Sequence, residues 1–250
     1  MRQHGGSATG DAFHIFCTHG RCVFALHSRA LTHRYRRCRY TTRSSLRRAV
    51  MARKTDSAQV TELLLQALET ERGGQKIYTT ALKAVQNDDL REEWEGYLEE
   101  TRGHEEILTR VFKELGLDTE MASPGRQVVA HHGKSLVAAI EMAIKNDTPA
   151  AAELVAAECV VLAETKDHQN WELIGKVAEQ GGASAKILKQ AYEAVEKQED
   201  HHLYHTAGWA RELWLQSLGI PAVLPPPEEQ KDVETAIGAA RAEKARKDYL

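Results

Sequence analysis

Between residues 55 and 218 the chain carries four long apolar stripes at alternating steps of three and four, the seam that helices bury in a bundle. The first runs Val60, Leu64, Ala67, Glu71, Gly74, Tyr78, Ala81, Val85. The second runs Leu90, Trp94, Tyr97, Thr101, His104, Leu108, Val111, Leu115. The third is Leu154, Ala157, Val161, Glu164, His168, Trp171, Gly175, Ala178, and the fourth Leu188, Tyr192, Val195, Glu199, His202, Thr206, Trp209, Leu213. Each is apolar at its ends and polar in its middle. The interruptions are Glu71; Thr101 and His104; Glu164 and His168; Glu199 and His202. A carboxylate buried in a bundle without a partner is strongly unfavourable, so one such break in every stripe requires a compensating charge.

The segments are bounded by readable signals. Ala, Leu, Glu, Lys and Gln dominate and β-branched runs are rare, which predicts an all-α fold. Helices are expected over 55–85, 90–115, 127–145, 149–178 and 183–218. The stretch QNDD at 86–89 supplies a turn and a cap, Gly116 a helix stop, and Thr148-Pro149 a cap followed by a first helical position. Two short turns make two antiparallel helix hairpins, joined by a long crossover that contains the shorter helix. Within the first helix, Gly73-Gly74 marks either close packing or a cavity, because glycine is a poor helix former.

The breaks also agree in depth. A helix rises 1.5 Å per residue, and Glu71 and His104 stand about 16 residues on either side of the first turn. Glu164, Glu199 and His202 stand about 17 to 20 residues from the second. They converge on one layer. Three carboxylates and two or three imidazoles in a dry layer describe a metal site, with candidate ligands Glu71, His104, Glu164, His168, Glu199 and His202. In EKQEDHHLYH, Glu199 and His202 share a face, His201 falls off the stripe and is expected in solvent, and His205 is intermediate.

The first fifty residues differ from this body. They hold ten Arg, no Lys and a single acid, Asp11, whereas residues 51–250 carry 23 basic and 35 acidic residues. Such an Arg-rich, acid-poor segment fits a start assigned upstream of Met51, a transit peptide, or a phosphate-attracting arm; we favour the early start and a cytoplasmic protein, with an organellar address if the segment is a transit peptide. Cys17 and Cys22, with His14 and His19 nearby, lack a second pair at zinc spacing and are read as chance. The expected organisation is an extension over 1–50, a bundle over 51–220, and a Pro-rich linker with a charged tail over 221–250. No apolar run is long enough to span a membrane, and neither nucleic acid nor membrane is expected as a partner.

The segments ETERGGQKIY, AETKDHQNW and EDHH resemble the ferritin-like di-metal carboxylate proteins, in which two helices each give a Glu and two give Glu-x-x-His. The resemblance covers about residues 55–218. It implies a ferritin-like four-helix bundle, two iron ions or manganese in their place, and chemistry on small oxygen species or Fe(II). One position departs: three residues before His104 stands Thr101, where the family places Glu. That departure keeps open a bundle with a degraded site acting as a structural or partner-binding module. A hydroxylase-type enzyme with an organic substrate is a further alternative. Exposed apolar residues on the crossover and last helices suit a homodimer.

Overall fold

The computed structural model describes residues 57–250, together with the backbone of a two-rung antiparallel ladder, β1 (Cys17–Thr18) and β2 (Arg21–Cys22), with Cys17 opposite Cys22. The expectations for the remainder of residues 1–50 lie outside the described residues. The ladder belongs to one unit, Met1–Ala52, and the helical body to another, Arg53–Leu250.

The body is all-helical. Its elements are α1 (Ser57–Ala81), α2 (Asp88–Leu115), α3 (Pro124–Asn146), α4 (Pro149–Glu179), α5 (Ala185–Ser217), α6 (Pro227–Gln230) and α7 (Ala236–Ala245), followed by a 3₁₀ turn at Arg246–Tyr249. The boundaries follow local chemistry. The Asn87 side chain accepts from the Asp89 and Leu90 amides at the start of α2, and Gly116, with φ of 68°, ends it in the left-handed region that glycine tolerates. Ser123 and Thr148 cap α3 and α4, each followed by Pro at the first helical position. α1 stops earlier than its stripe suggests. The buried Glu153 of α4 accepts from the Gln86 and Asn87 amides at 2.7 and 2.8 Å, which holds the turn after α1.

Helix α1 packs against α2, α3 and α4, while α5 packs against α4 and α2. The apolar core is divided in two. One cluster joins the C-terminal part of α1, the N-terminal part of α2, the first half of α4 and the end of α5, through Tyr78, Trp94, Ala157 and Trp209. The other joins the opposite ends of the same helices, through Leu64, Phe112, Ile174 and Leu188. Each neighbouring pair around the bundle is therefore antiparallel, and α3 carries the chain from one end to the other. At 23 residues it is longer than the expected 127–145 and still the shortest of the five long helices. The Gly73 backbone meets Gly133 of α3, where a Cβ built on Gly133 would lie 3.6 Å from the Gly73 Cα, so close packing is one use of the glycine pair.

The C-terminal segment is packed rather than extended. Arg211 of α5 holds Glu228 through two hydrogen bonds of 2.7 and 2.8 Å, and Pro227 and Glu228 are buried. No helix among the described residues is long and apolar enough to cross a membrane.

Candidate metal centre

Between the two apolar clusters lies a layer of buried polar side chains: Glu71 from α1, His104 from α2, Glu164 and Asp167 from α4, Glu199 and His202 from α5. Each is at most 4% exposed. His104 Nδ1 lies 3.0 Å from Glu199 Oε1 and 3.8 Å from Glu71 Oε2. His202 Nδ1 lies 3.5 Å from Glu164 Oε2 and 3.9 Å from Glu199 Oε1. Two triads result, Glu71–His104–Glu199 and Glu164–Glu199–His202, each offering ligand atoms within 4.8 Å of one another. Glu199 is common to both, and the two imidazoles stack with centroids 5.6 Å apart.

The hydrogen bonds divide these side chains into an outer and an inner half. Glu71 Oε1 accepts from Trp171 Nε1 at 2.8 Å, while Oε2 has no partner. On the outer side of the histidines runs a chain of three bonds. His202 Nε2 meets Glu100 Oε2 at 2.8 Å, Gln198 Nε2 donates to Glu100 Oε1 at 3.0 Å, and Gln198 Oε1 faces His104 Nε2 at 2.8 Å. Glu100 can only accept, which turns the Gln198 amide so that its carbonyl accepts from His104. In the neutral form both imidazoles then carry their hydrogen on Nε2 and present the Nδ1 lone pair inward. Both Nδ1 atoms, Glu71 Oε2, Glu164 Oε2 and Glu199 Oε2 are buried with no hydrogen-bond partner. Buried polar atoms are rarely left so. Five of them in one layer, with Glu71 held by Trp171 and the two imidazoles by Gln198 and Glu100, form a donor set suited to a cation.

Electrostatics says the same. Glu71 and Asp167 are raised well above ordinary carboxylate values, by burial first and by neighbouring carboxylates next. Glu199 is pushed up to about 8 by burial and then by Glu164. Burial opposes a charge on His202, but Glu100, Glu164 and Glu199 outweigh it and carry it up to about 10. His104 moves down, through burial and then its charged neighbour His202. Without a fixed cation the layer balances its acids with protons, one of them on His202. A divalent cation displaces such protons and leaves the neutral imidazole as ligand. Glu100 is the opposite case: burial pushes it up, the His202 and Gln198 donors more than offset this, and it stays below the usual value.

Of the six ligands expected from sequence, five meet in this layer and His168 does not. His168 Nε2 contacts Asp200 Oδ1 at 2.8 Å on the outer side of α4 and α5. At 3.6 residues per turn, His168 lies about 40° to one side of Glu164 and Asp167 about 60° to the other. α4 is covered by α1, α3 and α5, so its buried arc extends through Ala163, Asp167 and Asn170 and away from His168. Thr101 is buried, but its hydroxyl donates to the Tyr97 carbonyl of its own helix at 2.8 Å, and its methyl faces Gly74. Asp167 was missed in the sequence, though Glu164-x-x-Asp167 is a legible i, i+3 pair; its Oδ1 is unpartnered. Glu100 and Gln198 were missed as orienting groups because they flank the stripes. His201 is half-buried against the tail rather than in solvent.

A cleft of about 340 Å³ between α4, α5 and the tail reaches the layer, with His168, Trp171, Tyr192, Asp200 and Tyr204 on its walls and Glu199 at its floor. No family model, curated protein or solved structure matches this chain.

Proposed function

We propose that the buried layer is a two-cation carboxylate–histidine centre of ferritin-like type, and that the protein is an oxidoreductase acting on a small oxygen species or on Fe(II). One observation carries this reading: five unpartnered donor atoms converge while an outer chain, His104–Gln198–Glu100–His202, fixes both imidazoles in the ligand tautomer. Glu71 and His104 would hold one cation and Glu164 and His202 the other, with Glu199 between them. Asp167, buried on α4 beside Glu164, adds to the layer a carboxylate that Thr101 does not, from α4 instead of α2. Carboxylate and imidazole together suit iron or manganese. The antiparallel order of the four long helices, with a crossover running the length of the bundle, supports the ferritin-like assignment.

Iron at such a site supplies one-electron redox chemistry at neutral pH, and manganese is its alternative. The chain's own groups set the conditions for it. Trp171 and Glu100 hold Glu71 and His202 in fixed orientations, so no rotamer search accompanies each turnover. Tyr78 is fully buried beside the layer, and burial first and the Glu164 charge next keep its phenol protonated. The two apolar clusters exclude water from both ends. The cleft above Glu199 admits species of a few atoms, and the His168–Asp200 pair on its wall can hold a proton at Nε2.

The test is elemental analysis of protein purified without added metal, followed by reconstitution with Fe(II) and Mn(II) and assays of Fe(II) oxidation and peroxide turnover. Two equivalents in the wild type and turnover dependent on them support the proposal. No retained iron or manganese after reconstitution would overturn it and leave the structural-module reading that Thr101 favours.

A further inference from the structure

Residues 201 and 202 are adjacent histidines with different destinations. His202 enters the buried layer. His201 points to the adjoining flank of α5, about 100° round the helix, where it stacks on His205 with centroids 4.9 Å apart and planes 18° apart. His201 and His205 are four residues apart, the spacing that brings two imidazoles to one face of a helix. Asp232, from the segment after α6, closes on them, with His201 Nε2 at 3.4 Å from its Oδ1. One nitrogen from each ring and one Asp232 oxygen lie within 4.8 Å of one another.

Two details separate this group from an ordinary surface ion pair. His205 is 5% exposed, and its Nε2 has no partner. Its Nδ1 lies on the opposite side, 3.4 Å from Glu93 Oε1 and 3.3 Å from the Tyr97 hydroxyl. Glu93 is in turn held by Trp209 Nε1 at 2.5 Å. An imidazole that gives one nitrogen to an anchored carboxylate and keeps the other free and buried is prepared as a ligand. His201 Nε2 is also buried and unbonded, because its approach to Asp232 is too poorly aligned for a hydrogen bond. The backbone of Asp232 has φ of 51°, uncommon for a non-glycine residue.

We infer that His201, His205 and Asp232 form a second site, for a single divalent first-row transition cation, that clamps the C-terminal segment onto α5. Two imidazoles and a carboxylate suit Zn²⁺ or Fe²⁺ and leave coordination positions open. Because two ligands come from α5 and one from the chain beyond α6, binding there favours the docked tail over an undocked one. The site shares no ligand with the buried layer and stands independently of the function proposed above.

The experiment counts Zn(II) retained by the full chain after gel filtration, in the wild type and in His201→Ala, Asp232→Ala and Glu199→Gln. Asp232 is 78% exposed and His201 28%, so neither variant disturbs the core. The site predicts that His201→Ala and Asp232→Ala each lose one equivalent relative to the wild type, and that Glu199→Gln keeps that equivalent. Amide exchange across residues 233–250 should slow at least tenfold on adding Zn(II) to the wild type and stay unchanged in His201→Ala. Equal zinc counts in the wild type, His201→Ala and Asp232→Ala would overturn the site. If only the buried centre is misread, Glu199→Gln matches the wild type while the His201-dependent equivalent persists.

Discussion

Glu199 and Glu212 lie on one helix, both are buried, and they have opposite surroundings. Glu212 meets Arg246 Nε at 2.7 and 2.9 Å, Arg211 Nε at 3.0 Å and the Val223 amide at 2.8 Å. Burial pushes it up, but these donors more than offset the cost, and it sits below the ordinary carboxylate value. Glu199 has carboxylates and imidazoles around it, an unpartnered Oε2, and a value raised to about 8. Burial of an acid is therefore no sign of a metal. The informative feature is burial with no arginine or lysine and no donor on the free oxygen, which at Glu199 leaves the carboxylate to hold a proton or a bound cation.

The contrast can be broken most directly by removing the shared ligand. Glu199→Ala should lose both retained equivalents of iron or manganese by elemental analysis, while Glu212→Ala keeps both. Full retention in Glu199→Ala would mean the two regions do not differ in kind. The reverse effect belongs to stability. Glu212→Ala leaves the Arg246 guanidinium and the buried Val223 amide without their acceptor, while Arg211 keeps Glu228, and should cost about 1–3 kcal/mol in urea denaturation. A change below about 1 kcal/mol would show that the tail adds little.

Acidity separates the regions by sign. Glu199 has its folded value raised above its ordinary 4.5, so it stabilises the metal-free fold below that value, and the contribution is lost as pH rises through about 8. Glu71 and Asp167 act in the same direction. Glu212, held down, contributes above its ordinary value and loses the contribution as pH falls. The unfolding free energy of metal-free protein from urea denaturation should thus drop between about pH 5 and 8, by an amount on the order of a few kcal/mol, and added Mn(II) should flatten the slope. A profile unaffected by Mn(II) would count against a cation in the layer.

Smaller changes sharpen the picture around the ligands. Gln198→Leu removes the acceptor for His104 Nε2–H and the donor to Glu100 Oε1 while touching no ligand atom, and cation affinity should weaken about 10- to 100-fold with the stoichiometry kept. Unchanged affinity in a competition titration would show that the outer chain does not orient the imidazoles. His168→Ala should leave the retained metal count as it is; loss of an equivalent would return His168 to the ligand set.

Much of this was written in the stripes. Glu71, His104, Glu164, Glu199 and His202 were placed in one layer by helical period and distance from two turns, because rise and rotation per residue are local properties of a helix. His168 and Asp167 were not separable that way. Each lies within about 60° of Glu164, and which one faces inward depends on how α4 is rotated between α1, α3 and α5. The docking of the Pro-rich stretch and the charged tail was not legible for a related reason. The segment's buried apolar residues, Val223, Val233 and Ala242, are spaced without a period, and it is joined to the body by Arg211–Glu228 and Arg246–Glu212, pairs far apart in sequence with no periodic signature.

The sequence by itself determined an all-helical chain, the turns that break it and the depth at which its polar residues meet. Only the tertiary structure decided which donors are tied to outer partners, which atoms remain free, and that Asp167 rather than His168 joins the layer. Periodicity follows from one helix at a time, whereas the rotation of a helix and the partners of a side chain depend on neighbours that the local sequence does not specify.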